Sequence, residues 1–137
     1  MNWIFYSLIA AIAFAGLVLT YKKLLLLGIN QLVLNVSIFF LVFLGFASVI
    51  VYKRIPLQLS TAMILLLLLA AVFSFLGNYF QVKSYNESPN PGYASTLVAT
   101  QLILITIFSI FLYHSEFNWL KVLGIAIVIL GSYLISL

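Results

Sequence analysis

Long apolar runs separated by short polar stretches make up the chain. Five runs stand out, at about residues 3–21, 31–52, 61–82, 92–113 and 118–137. Each is close to the ~20 residues that a helix needs to cross the hydrocarbon core of a bilayer. No apolar–polar alternation of period two runs through them, which argues against a membrane β-barrel. The connectors are short: "KKLLLLGIN", "KRIPLQLS", "SYNESPNPGYAST" and "HSEFN". Trp3, Tyr6, Tyr21, Tyr52, Tyr113 and Trp119 gather at run ends, where amphipathic rings lie at headgroup level. The pattern predicts an all-α integral membrane protein, with five transmembrane helices forming a single domain over residues 1–137.

Composition strengthens that reading. Of 137 residues, 66% are apolar and 6% charged, against about 45–50% and about 25% in soluble domains. A soluble chain of this length cannot bury so much apolar surface, so lipid is its solvent. No basic residue precedes the first run and no small-residue cleavage site follows it, so it reads as a retained span rather than a signal peptide.

The net charge of +4 comes from Lys22, Lys23, Lys53, Arg54, Lys83 and Lys121 against Glu87 and Glu116. These cations sit at the ends of apolar runs, which suits headgroup anchoring and not a nucleic-acid patch. Assigning connectors to alternate sides puts Lys22, Lys23 and Lys83 on one side and Lys53, Arg54 and Lys121 on the other. The split is even, and the positive-inside rule leaves both insertions open.

Catalytic chemistry finds little support. The sequence has no cysteine and a single histidine, His114, with Glu116 beside it. No Gly-x-Ser-x-Gly elbow occurs, and no acid lies within a span to orient a base. Neither an enzyme nor a metal site nor a cofactor is expected. "HSE" reads as an interfacial turn in which Ser115 or Glu116 caps the following helix.

Polar residues inside the spans carry more information, because lipid offers them no hydrogen bonds. Ser74, Asn78, Gln81 and Tyr85 fall at i, i+4, i+7 and i+11, on one face of the third helix. Tyr93, Thr96 and Thr100 share a face of the fourth, with Gln101 beside it, and Asn35 lies one turn after Gln31 in the second. These residues are candidates to line a substrate cavity. The hydroxyls of Thr96, Thr100, Thr106 and Ser109 have a plainer use in bonding their own helix backbone. For Asn78 and Gln81, cavity lining and interhelical hydrogen bonding stand as equal alternatives. Gly124, Gly131 and Ser132 give the fifth helix a small-residue face for packing, within the chain or between two copies, and Ala11 and Ala15 give the first a weaker one.

From "GNYFQVKSY" through "NPGYASTLVAT" and "HSE" to "NWLKVLGIAIVILG", the last third resembles the EamA-like repeat of the drug/metabolite transporter superfamily. Its members show a short break before the fourth span and a glycine-bearing last helix. The resemblance extends over nearly the whole chain and implies one five-helix repeat. Full-length members carry two repeats in inverted orientation, so a homodimer, parallel or antiparallel, is the implied working unit. The first span reads "AIAFAG" in place of the usual Trp-Gly-like segment, and Asn35 stands roughly where many members have a basic residue.

The resemblance implies a multi-pass protein of a prokaryotic inner membrane that moves small metabolites or amphipathic compounds by alternating access. Small multidrug exporters, which are also similar, use a first-helix glutamate for proton coupling. The first run here has no acid, which favours uncoupled passage or exchange. An accessory or flippase-type subunit without transport of its own is the alternative.

At residues 84–96, Pro89 and Pro91 are expected to stop the third helix and start the fourth, with Glu87 and Asn90 satisfying exposed amides.

Overall fold

A computed structural model describes residues 2–114, 116 and 118–136, apart from the side chains of Asn2, Lys121 and Ser136. Every regular element among them is an α-helix: α1 Asn2–Leu26, α2 Gln31–Lys53, α3 Thr61–Glu87, α4 Pro91–Val98, α5 Gln101–Tyr113 and α6 Trp119–Ser136. Four segments are long and apolar enough to cross a membrane: Trp3–Leu26, Gln31–Lys53, Thr61–Glu87 and Pro91–Tyr113. The last of these comprises α4 and α5, and Val122–Ile135 forms a shorter apolar helix within α6. The chain divides into two compact units, Met1–Glu87 and Ser88–Leu137.

In the first unit, two helices outrun their apolar runs. Lysine and leucine are good helix formers, so nothing in "KKLLLL" stops α1 at Tyr21. It stops at Gly28, whose φ of 89° only glycine adopts readily. The Ile29 amide reaches back to Leu24 O (3.3 Å) and the Gly28 amide to Leu25 O (3.0 Å), a Schellman closure. α3 likewise continues past Val82 to Glu87, so Lys83 and Tyr85 belong to the helix. Asn30 caps α2, its Oδ1 accepting from the Leu32 amide at 2.8 Å.

The buried residues Tyr21, Leu25, Leu34, Val82 and Tyr85 come from the end of α1, the start of α2 and the end of α3. Interhelical packing is therefore concentrated at one end of this unit. Away from it, side chains such as Phe14, Phe43 and Phe73 are exposed, as helices standing in lipid require. Lys22 joins the packed end: its Nζ donates to the Tyr85 carbonyl at 2.9 Å. That carbonyl lies in the last turn of α3, where a cation is favoured by the helix dipole.

Pro91 occupies the first turn of α4, and Asn90 Oδ1 accepts from the Gly92 amide at 2.8 Å. Glu87 does not share this capping role as expected. It ends α3 and pairs with Lys83, one turn back, at 3.9 Å. The cap of α6 is supplied by Asn118, whose Oδ1 accepts from the Leu120 amide at 2.9 Å, and not by Glu116. Ser115 lies outside the described residues.

Within the second unit α4 packs against α6, burying Ala94 and Ser132. The fourth run is not one continuous helix. Around Ala99 and Thr100 the backbone tightens into i→i−3 bonds: Thr100 N to Leu97 O (3.1 Å), Leu102 N to Ala99 O (3.0 Å) and Ile103 N to Thr100 O (3.1 Å). The Thr100 hydroxyl adds to this by donating to Leu97 O at 2.7 Å. The Thr96 carbonyl, which the Thr100 amide would take in a regular helix, accepts instead from Ser132 Oγ at 3.0 Å. A break in lipid is tolerated when a neighbouring helix re-satisfies the freed backbone group, as Ser132 does here.

Candidate functional site

In the first unit α2 and α3 enclose a groove of about 430 Å³. Leu32, Asn35, Val36 and Phe39 line it from α2, and Ala71, Ser74, Phe75, Asn78 and Tyr79 from α3. None of these residues is charged. The i, i+3, i+4 spacing on each helix puts these side chains on the facing stripes. Three of the polar residues singled out in the sequence, Asn35, Ser74 and Asn78, therefore share one groove.

Their hydrogen bonding differs. Asn78 Nδ2 donates to Ser74 O at 2.8 Å and lies 3.4 Å from Ser74 Oγ, so half of its amide is spent on its own helix. Asn35 Oδ1 is shielded from solvent and has no hydrogen-bond partner among the described residues. A buried amide oxygen left unpaired costs about 1–3 kcal/mol. Phe75 and Tyr79 stack with centroids 6.2 Å apart and an interplanar angle of 23°, giving the groove a flat aromatic wall.

Gln81 and Tyr85, further along the same stripe, do not line this groove. Gln81 Nε2 donates to Tyr85 Oη at 2.7 Å, and Tyr85 is buried in the helical packing. In the second unit Thr96 Oγ1 donates to Gly92 O (2.8 Å), and Thr106 Oγ1 and Ser109 Oγ also bond their own helix. Tyr93 is exposed on α4, and Gln101 begins α5. Ser132 is 1% exposed. Among the described residues nothing lies within 4 Å of where a Cβ would stand at Gly124 or Gly131.

Two features were not foreseen from sequence. One is the Lys22 bond to the end of α3, hidden because the lysine looks like an interfacial anchor. The other is a second groove of about 470 Å³ formed by Thr106, Ser109, Ile110, Glu116, Gly124, Ile125 and Val128. Its threonine and serine hydroxyls are held by backbone carbonyls, which leaves fewer groups to meet a solute.

Helices of membrane-crossing length define a polytopic membrane protein, and its first unit carries an uncharged groove with one unpaired amide oxygen. The chain belongs to the EamA-like transporter family, whose family model matches residues 1–137. It is thus a membrane transporter by family, in contact with lipid and with small-molecule substrates. No curated protein and no solved structure matches the chain.

Proposed function

We propose that residues 1–137 act as one five-span domain, and that two copies form a homodimer moving small uncharged or amphipathic metabolites by alternating access. The cytoplasmic membrane of a prokaryote is the setting this reading assumes. The observation that carries it is the convergence of Asn35, Ser74 and Asn78 on one uncharged, aromatic-walled groove. A volume of about 430 Å³ lies within the range of small-molecule sites, about 300–1,000 Å³.

Two further observations support the reading. At the break between α4 and α5 the freed Thr96 carbonyl is met from α6 by the Ser132 hydroxyl, a junction suited to bending between two states. The open sides of Gly124 and Gly131 give α6 a face on which a second helix can approach closely. With no carboxylate in the α2–α3 groove, uncoupled passage or exchange needs the fewest assumptions.

The test is efflux from proteoliposomes containing only the purified protein and loaded with the neutral small-molecule fraction of a cell extract. Mass spectrometry should show release of at least one component above protein-free vesicles. Asn35→Leu and Asn78→Leu should remove that release while the dimer persists on size exclusion. Release that never exceeds the control contradicts the reading, and release that requires another membrane protein favours the accessory-subunit alternative.

A further inference from the structure

We propose that the solute of the α2–α3 groove is an uncharged amphiphile whose head carries hydroxyl groups, with Asn35 Oδ1 as the acceptor that fixes it. This rests on reading the groove as the transport site and narrows the chemistry of what enters it.

The groups on offer set the head. Asn35 Oδ1 is an unpaired acceptor, and Asn78 keeps its own oxygen available because only its Nδ2 is engaged by the helix. Asn35 Nδ2 and the Ser74 hydroxyl supply donors at the same place. A hydroxyl both donates and accepts, so a diol can answer both kinds of group. An ammonium would bring only donors, along with a charge that no acid in the groove lining offsets. A carboxylate has no donor for Asn35 Oδ1 and would bring a negative charge that no cation in the groove lining offsets. An ester without a hydroxyl would leave Asn35 Oδ1 unsatisfied.

The walls set the body. Leu32, Val36, Phe39 and the stacked Phe75–Tyr79 pair are apolar or aromatic and suit a hydrocarbon chain. Depth agrees with this division. Asn35 lies four residues after the first residue of α2, about 6 Å along the axis at 1.5 Å per residue. A head held there sits near the membrane surface, with its tail along the helices.

Equilibrium binding to the purified full chain in nanodiscs tests the proposal. Monooleoylglycerol, methyl oleate and oleylamine share one tail and differ in head: two hydroxyls, an ester without a donor, and an ammonium. Competition against radiolabelled monooleoylglycerol should show saturable binding, with methyl oleate and oleylamine weaker by about tenfold or more. Asn35→Leu should bring monooleoylglycerol down to the level of methyl oleate. Equal binding of the three heads by the unaltered protein overturns the proposal, and so does a folded Asn35→Leu that loses less than about twofold. The head-group comparison needs no variant and stands even if Asn35→Leu fails to fold. Efflux from proteoliposomes judges the transport reading separately: an active transporter that ranks the heads equally defeats this inference alone.

Discussion

The hydroxyl of Ser132 on α6 lies 3.0 Å from the carbonyl of Thr96 on α4 and 2.8 Å from the carbonyl of Val128 on its own helix. One proton serves two acceptors. In the helix break at Ala99–Thr100 the Thr96 carbonyl has lost its regular amide partner, so Ser132 is what keeps that oxygen satisfied. Ser132→Ala should therefore destabilise the protein by about 1–2 kcal/mol. Thr96→Val should cost less than about 0.5 kcal/mol, because the Thr96 hydroxyl bonds only its own helix. Reversible unfolding in mixed micelles measures both, and equal costs would show that the carbonyl bond is not the important one.

Lys22 and Lys23 are adjacent in sequence but differ in role. Lys22 Nζ bonds the Tyr85 carbonyl at the end of α3, whereas Lys23 is exposed. Lys22→Met should lower stability by about 1–2 kcal/mol, the range of a charged hydrogen bond discounted for partial exposure. Lys23→Met should stay within about 0.5 kcal/mol. Glu87→Gln should be equally mild, since the 3.9 Å pair with Lys83 is solvent-exposed. The same unfolding assay ranks the three.

The face bearing Gly124 and Gly131 discriminates packing inside the chain from packing between copies. Among the described residues nothing lies within 4 Å of where a Cβ would stand at either position, so alanine at either should not disturb the fold. If a second copy packs on this face, Gly124→Ala and Gly131→Ala should shift dimer to monomer, by at least about tenfold in dissociation constant. Single-molecule photobleaching in liposomes reads the shift. An unchanged dimer would move the interface elsewhere.

Much of the helical layout was legible because lipid enforces it. Runs of about 20 apolar residues have few other uses, and Asn90–Pro91 carries its capping chemistry in its residue types. The ends of α1 and α3 were harder, because hydropathy falls at Lys22 and Lys83 while helix propensity does not. The break between α4 and α5 was hidden for a different reason. "VATQL" contains neither glycine nor proline, and the break depends on a serine 36 residues after Thr96. Thr100 and Gln101, polar in the middle of an apolar run, were its only local trace.

The third-helix stripe was legible as a face but not as a site. Periodicity aligned Ser74, Asn78, Gln81 and Tyr85. Only tertiary packing could separate the first two, which line the groove, from Gln81 and Tyr85, which bond each other. Asn35 joined the groove because α2 packs on α3, a pairing that no local pattern encodes.

On the transport reading, Asn35 Oδ1 is kept unpaired for a ligand and not for the fold. Stability and efflux of Asn35→Leu, measured on one preparation, test it most directly. Removing an unsatisfied amide from an apolar groove should leave unfolding free energy unchanged or raise it by about 1 kcal/mol, while efflux from proteoliposomes falls to the protein-free level. A loss of more than about 1 kcal/mol would make the amide structural glue, and efflux that survives the substitution would place the solute path outside this groove.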